Sequence, residues 1–175
     1  MSDVLKAMEE RFSTRGYTAE KLTDRELEAL IRAGLQAPTA TNRQEIHITV
    51  VQGDHPILME IQDEMLKGTG KVPPQNFYYG APTVFLLSGE EAFGWTPVDA
   101  GIAVENIALA AEGLGLGSLI IGCIKKAMNG ERKAEFATRL KFPEGYAFEV
   151  AIAVGHKAVT KAPHEYSLEK NVTII

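Results

Sequence analysis

The sequence predicts a single mixed domain of α-helices and β-strands. At 175 residues the chain is long enough to build one hydrophobic core. A helical pattern that begins at Thr96 is apolar nearly all round, and short runs of β-branched and apolar residues elsewhere are typical of buried strands. These patterns follow one another without an internal repeat or a linker. We therefore expect one domain over residues 1–175.

The first half of the chain is predicted to contain one strand and several helices. Residues 46–51 alternate and are rich in β-branched side chains, as expected for a strand. Thr23 followed by Glu26 is a capping-box pattern at a helix start, and Pro38 ends that helix before a polar loop over residues 39–44. The predicted helices are Asp3–Glu10, residues 23–36 and Pro56–Leu66.

Residues 68–80 are the longest stretch without a regular pattern, and we expect a mobile flap there. Phe77, Tyr78 and Tyr79 lie in this stretch and could stack on planar substrates. The same aromatic residues could equally pack in the core. If they stack, the flap would be the wall that selects the substrate.

The helix that begins at Thr96 is predicted to be the central element. Thr96 is the expected N-cap, Pro97 suits the first helical position, and Asp99 places a carboxylate in the positive first turn. A helix that is apolar nearly all round is buried in a core or packed against a second subunit. Its few strongly polar residues are Glu105, Asn106 and Glu112.

Three glycines follow this helix, Gly113, Gly115 and Gly117, and a short strand pattern over residues 118–121 comes next. A dinucleotide-binding fingerprint has the order strand, glycine turn, helix, so that helix amides meet the pyrophosphate. The order here is helix, glycines, strand. The glycines are therefore interpreted as a helix C-cap and a tight return into the sheet.

The remaining elements are strands around one more helix. Residues 82–88 are apolar on both faces and predict a central strand. A helix is expected over residues 131–140, led in by residues 125–130, and a buried strand over residues 146–155. The last run, residues 171–175, is β-type and must pair with something, since an exposed edge strand is a liability. A partner subunit would supply that pairing.

Composition excludes several classes of function. The net charge of −5 and the absence of a basic stripe argue against binding to nucleic acid. The N-terminus carries neither a signal-peptide pattern nor a membrane span. A single cysteine, Cys123, cannot build an intrachain disulfide framework and suits a reducing compartment. We expect a soluble, cytoplasmic protein without a membrane or nucleic-acid partner.

No familiar catalytic or metal-binding motif is present. The four histidines lack the spacing of a zinc site, and Cys123 is interpreted as a small core residue rather than a nucleophile. We therefore predict no catalytic side chain and no metal ligand. If the protein is an enzyme, a bound cofactor carries the chemistry.

Two stretches could bind such a cofactor. In an extended segment Arg11, Ser13 and Arg15 share one face and would grip a phosphate, although spacing alone favours a solvated loop. The amides of Asn42 and Gln44 can both donate and accept, which suits the edge of a flavin pyrimidine, although ordinary turn chemistry also explains them.

Taken together, these motifs resemble the FMN-dependent nitroreductase family over essentially the whole chain. Residues 11–17 (RFSTRGY) resemble the family's R-x-S-x-R-x-[FY], and residues 37–44 (APTATNRQ) resemble its A-P-S-x-x-N-x-Q loop. The further matches, all in the family order, are Gly80-Ala-Pro82, Asp99, Gly113-Leu-Gly115, the strand ending at Gly122, Pro143-Glu-Gly145 and Val154-Gly155.

The resemblance implies a nitroreductase-like α+β fold with a mixed, mainly antiparallel sheet flanked by helices. It also implies a homodimer built on long central helices, with exchanged C-terminal strands and two FMN sites at the interface. In those sites Arg11, Ser13 and Arg15 would hold the phosphate and ribityl chain. The other implied cofactor contacts are Pro38, Thr39, Ala40 and Asn42, some from the second subunit, and the backbone of Ile121 and Gly122 beside flavin N5.

The implied activity is a ping-pong oxidoreduction. NADH or NADPH would pass a hydride to flavin N5 and leave, and a nitroaromatic, quinone or similar electron-poor acceptor would take its place. Positioning over the flavin would supply much of the catalysis. The alternatives are a flavin-binding or carrier dimer with little turnover, and a dimeric interaction protein that has lost FMN.

The chain departs from the family pattern at two positions. Glu45-Ile46 replaces the common Pro-Trp after the loop glutamine, which changes one wall of the expected pocket. In the tail, His164, with Lys161 nearby, replaces the usual Lys or Arg phosphate ligand. A histidine binds phosphate well only when protonated, so FMN affinity is expected to fall as the pH rises above about 6.5.

Overall fold

The computed structural model describes residues 3–71 and 76–175, and the described residues form a helix-flanked sheet. The strands are β1 (His47–Gln52), β2 (Thr83–Glu90), β3 (Leu116–Ile121) and β4 (Tyr146–His156). The helices are α1 (Asp3–Glu10), α2 (Asp24–Leu35), α3 (Pro56–Leu66), α4 (Thr96–Gly113), α5 (Lys125–Met128), α6 (Lys133–Arg139) and α7 (Leu168–Asn171).

The sheet has the strand order β1-β2-β4-β3, and each neighbouring pair is antiparallel. Strand β2 lies between β1 and β4 and is buried along nearly its whole length, as its doubly apolar sequence predicts. The N-terminal segment adds a parallel bridge from Ser13 to Ser118 at the β3 edge. The predicted α+β class with a mainly antiparallel sheet is confirmed.

Helices cover both faces of this sheet. Successive residues of β2 point to opposite sides, so Val84 and Leu86 join one core cluster while Phe85 and Leu87 join the other. The first cluster packs against α3, α5 and α6, and the second packs against α2 and α4. Because both faces of the sheet are covered, β2 carries buried apolar side chains on both of its sides.

Helix α4 buries one face and exposes the other. Ala103 and Ile107 lie within the second core cluster and are fully buried. On the opposite face Val98 is 51% exposed and Ile102 is 36% exposed in the single chain. The helix is thus not surrounded by its own chain, although its sequence is apolar nearly all round.

Several local predictions are confirmed. Helix α2 begins with the predicted capping box, in which Thr23 and Glu26 each bond the other's backbone amide. Helices α1 and α3 begin and end at the predicted residues. Gly115 forms the predicted return with φ +76° between helix and strand, whereas Gly113 is the last residue of α4 and Gly117 lies in β3.

Other local predictions are wrong. Thr96 does not cap α4; its hydroxyl instead donates to the Glu90 carbonyl oxygen at 2.9 Å, and Trp95 is the N-cap residue. The helix expected over residues 131–140 is present as α6, with narrower bounds, but its predicted lead-in forms the separate helix α5. Of the expected flap, residues 72–75 lie outside the described residues.

The C-terminal run does not form a strand in the single chain. Its first residue, Asn171, ends α7, and residues 172–175 lie outside the sheet and are exposed. Among the described residues, no helix is both long enough and apolar enough to cross a bilayer.

Gly117 allows the N-terminal segment to lie against β3, and its substitution tests this packing. A Cβ at Gly117 would lie 2.6 Å from Thr14 Oγ1 and 2.9 Å from Lys157 Cγ. We expect Gly117→Ala to lower the free energy of unfolding by about 1–3 kcal/mol in urea denaturation, because the site is overpacked. The matched control is Gly113→Ala, where a Cβ meets open space at the end of α4, and there we expect no loss. Equal effects of the two substitutions would contradict this account.

Candidate functional site

The segment with the two arginines is held extended against the edge of the sheet. Thr14 is fully buried, and its backbone N–H donates to the Ser118 carbonyl oxygen at 2.9 Å. Of the two residues that flank Thr14, Ser13 is half-buried and Arg15 is exposed. The Arg15 guanidinium lies 5.9 Å from the centre of the Tyr79 ring. The sheet therefore presents a hydroxyl and a guanidinium beside a buried threonine.

Arg11 lies at the start of this segment and contacts α4. Its Nε is 3.2 Å from Oε1 of Glu105, the side chain is about three-quarters buried, and Nε itself is shielded from solvent. That ion pair does not have the alignment of a hydrogen bond, so Nε has no hydrogen-bond partner. A covered guanidinium nitrogen without a hydrogen bond favours the binding of a further anionic group.

Tyr17 fixes the other end of the segment. Its hydroxyl lies 3.1 Å from the Thr14 carbonyl oxygen and 3.3 Å from the Ala153 carbonyl oxygen of β4, as a shared donor. Burial raises the pKa of the Tyr17 hydroxyl, and the charge of Arg15 opposes that rise. The hydroxyl thus stays protonated and ties the segment to the sheet.

The loop after α2 is held by short hydrogen bonds. Its centre is the 3₁₀ turn Ala40–Asn42. The Asp99 carboxylate accepts the Ala40 N–H at 2.9 Å, and the Thr39 hydroxyl accepts the Gln44 N–H at 2.9 Å. Thr41 has φ +56°, which is unusual for a β-branched residue, and Asn42 has the same φ. Backbone held in this region is typical of binding loops.

The loop is largely open to solvent. The polar side chains of Asn42 and Gln44 are exposed, and so is Pro38. A cleft of 230 Å³ lies beside Thr39 and Gln44. Ligand pockets for drug-sized molecules measure about 300–1,000 Å³, so this cleft of the single chain is smaller than such a pocket. Larger surface concavities of 360 and 760 Å³ lie elsewhere, beside α3 with α5 and beside α6.

Ile121 and Gly122 lie where β3 ends. The Ile121 side chain is 4% exposed and belongs to the first core cluster, so only its backbone is available to a ligand. Gly122 is exposed, and its carbonyl oxygen accepts the Lys125 N–H at 3.0 Å. Cys123 is also exposed, which makes its interpretation as a core residue wrong.

The arginine segment and the loop both rest on α4, but on different sides of it. The loop is held at Asp99, and Arg11 contacts Glu105. Six residues of helix separate those two positions by about 9 Å along the axis and about 120° around it. In one chain the two predicted groups are therefore not brought together on one face.

The remaining predicted residues are dispersed. His164 lies in the exposed segment between β4 and α7. Of the flap aromatics, Tyr78 is 2% exposed and packs in the first core cluster, so it is not available to stack on a substrate. Phe77 and Tyr79 are partly buried against the same cluster.

Sequence reasoning missed two residues that position these groups. Gln62 of α3 accepts the Phe77 N–H at 2.6 Å through its side-chain oxygen and so fixes the end of the flap. Glu105 holds Arg11, and its place as a rare carboxylate in an apolar helix was the available signal. Gln62 carried no such signal, because a glutamine in a helix usually lies on the exposed face, whereas the structure buries Gln62 to 5% exposure.

Comparison with known proteins adds a family context. A sequence model described as "Nitroreductase family" matches residues 8–156. The chain is 26% identical over 182 residues to the FMN reductase (NAD(P)H) of Bacillus subtilis strain 168, which covers 90% of this chain and 67% of that protein.

Solved structures agree with this match. A nitroreductase with bound FMN from Desulfitobacterium hafniense DCB-2 superposes with a TM-score of 0.87 at 32% identity, covering 100% of this chain and 99% of that one. A nitroreductase with bound FMN from Bacteroides fragilis NCTC 9343 gives a TM-score of 0.89 at 25% identity, with 100% of both chains covered.

Proposed function

We propose that this chain, which belongs to the nitroreductase family, is a cytoplasmic, homodimeric FMN oxidoreductase that uses NADH or NADPH. The observation that carries the proposal is the extended segment of Arg11, Ser13 and Arg15, held on the sheet by the buried Thr14. Relatives described as an FMN reductase and as FMN-bound nitroreductases support the same assignment.

The residues present fit FMN. Two guanidiniums and a hydroxyl match the donor set that a phosphate requires. Arg11 Nε is buried without a hydrogen bond, as expected for a nitrogen that serves a ligand. From the loop, the exposed amide of Asn42 and the backbone at Pro38, Thr39 and Ala40 would contact the flavin, which can both donate and accept.

The chain's role is to bind and orient rather than to transfer protons. The backbone of Ile121 and Gly122, at the end of β3, would lie along the reactive edge of the cofactor. Bound FMN would supply reversible hydride acceptance, so that a reduced nicotinamide and an electron-poor acceptor could use the site in turn. Positioning of the two reactants in turn would supply much of the rate.

A second copy of the chain would complete the site. Arg11 and Ala40 are held on sides of α4 about 120° apart, and the cleft beside the loop measures only 230 Å³. The exposed face of α4 carries Val98 and Ile102, and the C-terminal residues Ile174 and Ile175 are exposed. Pairing of these apolar surfaces, with exchange of the C-terminal run, would join the loop of one chain to the arginine segment of its partner.

The activity is tested with the purified protein. A yellow protein that absorbs near ~450 nm, is bleached by NADH or NADPH under anaerobic stopped flow and is reoxidised by a nitroaromatic or a quinone supports the oxidoreductase. A yellow protein that neither nicotinamide reduces would replace it with a flavin carrier. A colourless protein that does not bind added FMN would overturn FMN binding altogether.

Removal of Arg15 should weaken FMN binding. A charge-assisted hydrogen bond contributes about 1.5–3 kcal/mol, so we expect Arg15→Ala to raise the FMN dissociation constant roughly 10- to 100-fold. Fluorescence quenching of added FMN measures the constant. The control is Arg25→Ala, an exposed arginine on α2, which should leave the affinity unchanged. Identical affinities of the two variants would remove Arg15 from the site.

A charge on the exposed face of α4 should break the dimer. We expect Ile102→Arg to give a monomer by light scattering and to lose FMN affinity, because a buried unpaired charge is costly at an interface. Met59→Arg is the matched control, since Met59 on α3 has a similar exposure of 42%, against 36% for Ile102. A wild-type monomer, or an Ile102→Arg dimer with unchanged FMN affinity, would contradict the proposed assembly.

His164 is proposed as the tail ligand of the phosphate. A tail side chain that hydrogen-bonds the phosphate should contribute to FMN affinity. We expect His164→Lys to retain tight binding and His164→Ala to bind FMN more weakly than the wild type. Fluorescence titrations with FMN check this, and wild-type affinity in His164→Ala would exclude the histidine.

A further inference from the structure

Two carboxyl groups are buried together beneath the loop that precedes β1. Glu45 lies two residues before the start of β1 and is 4% exposed. Asp99, in the first turn of α4, is 2% exposed. Glu45-Ile46 stands where the family commonly has Pro-Trp, so Glu45 is a departure from the family pattern. Buried carboxyl groups need partners, because burial penalises the charged form strongly.

The hydrogen bonds leave Glu45 without a donor. One oxygen of Asp99 accepts the Ala40 N–H at 2.9 Å. Both side-chain oxygens of Glu45 are shielded from solvent, and neither receives a hydrogen bond from any donor among the described residues. The Glu45 carboxyl does lie within hydrogen-bonding reach of the Asp99 carboxyl. Two carboxylates offer only acceptors, so this contact requires a proton on one of them.

The surrounding charges do not remove that requirement. Arg43 is the nearby cation, but its Nε and Nη2 pair with Oε2 of Glu90 at 2.7 and 2.6 Å, and its guanidinium lies 4.7 Å from the centre of the Phe93 ring. Burial, followed by the contact with Asp99, raises the pKa of Glu45, while Arg43 and the residue's own backbone amide oppose the rise.

We propose that Glu45 and Asp99 share one proton, and that this protonated pair holds the 39–45 loop on α4 in the geometry that binds the cofactor. Glu45 is the donor and Asp99 the acceptor. Asp99 also accepts the Ala40 N–H, and this second hydrogen bond holds the loop on α4. Both are positioning residues. The inference rests on the proposed FMN site for its effect on binding, but the shared proton itself does not depend on FMN.

The direction of the pH effect follows from the pair. The folded chain keeps a proton on Glu45 at pH values where an unfolded chain has lost it. Folding is therefore favoured by the pair at low pH, and this contribution decreases as the pH rises above the ordinary glutamate range. When the second carboxyl ionises, two buried negative charges face each other and the loop loses its hold on α4. FMN affinity should fall with the same midpoint.

The first test needs no cofactor. Infrared difference spectra of the apo-protein, recorded across pH, should contain the C=O stretch of a protonated carboxylic acid above the ordinary titration range of glutamate. The band should shift in wild-type protein with ¹³C-labelled glutamate, disappear in Glu45→Gln and persist in Glu144→Gln, an exposed control. Absence of such a band in the wild type overturns the proposal, and the labelled wild type decides the matter even if Glu45→Gln does not fold.

The second test measures FMN affinity in the His164→Lys background, in which the tail residue is a lysine. There the dissociation constant should rise about tenfold as the pH rises above the ordinary glutamate range, and addition of Glu45→Gln, which donates to Asp99 at every pH, should abolish the rise. A rise that survives Glu45→Gln overturns the role of the pair. If FMN does not bind at any pH, the proposed function fails, while the infrared band still decides the shared proton.

Discussion

The packing of α4 on the sheet is the constraint on which the rest of the structure depends. Its buried face joins α2 to the strands through fully buried residues such as Ala103 and Ile107. The same helix carries the anchors of both candidate binding segments, because Asp99 holds the loop and Glu105 contacts Arg11. A helix that must be buried on one side fixes the positions of these carboxylates relative to the sheet. The site geometry is therefore a consequence of core packing.

Much of the fold could be predicted because its signals are local. The Thr23–Glu26 capping box and the bounds of α3 follow from residues a few positions apart. The tail could not be predicted in this way, since a strand needs a pairing partner and the single chain leaves residues 172–175 exposed. Thr96 has the side chain of a typical helix N-cap, but the turn after β2 directs its hydroxyl to the Glu90 carbonyl oxygen.

The candidate site could be predicted from the sequence only in part. Residue types and order marked Arg11, Ser13 and Arg15, and the buried Thr14 holds Ser13 and Arg15 on either side of it against the sheet edge. The burial of Glu45 could not be read from the sequence, because a glutamate after a polar loop looks like a surface residue. Its contact with Asp99 connects residues 54 positions apart, which only the fold brings together.

The central claim is that each cofactor site takes its arginine segment from one chain and its loop from the partner. Subunit complementation tests this most directly. One chain would carry Arg11→Ala with Arg15→Ala, the other Thr39→Ala with Asn42→Ala, and heterodimers would be purified through two different tags. Each variant homodimer should lack FMN, whereas the heterodimer should bind about one FMN per dimer, because one of its two sites is intact. Heterodimers that bind no FMN would contradict the account, since a site built within one chain would be damaged in both subunits.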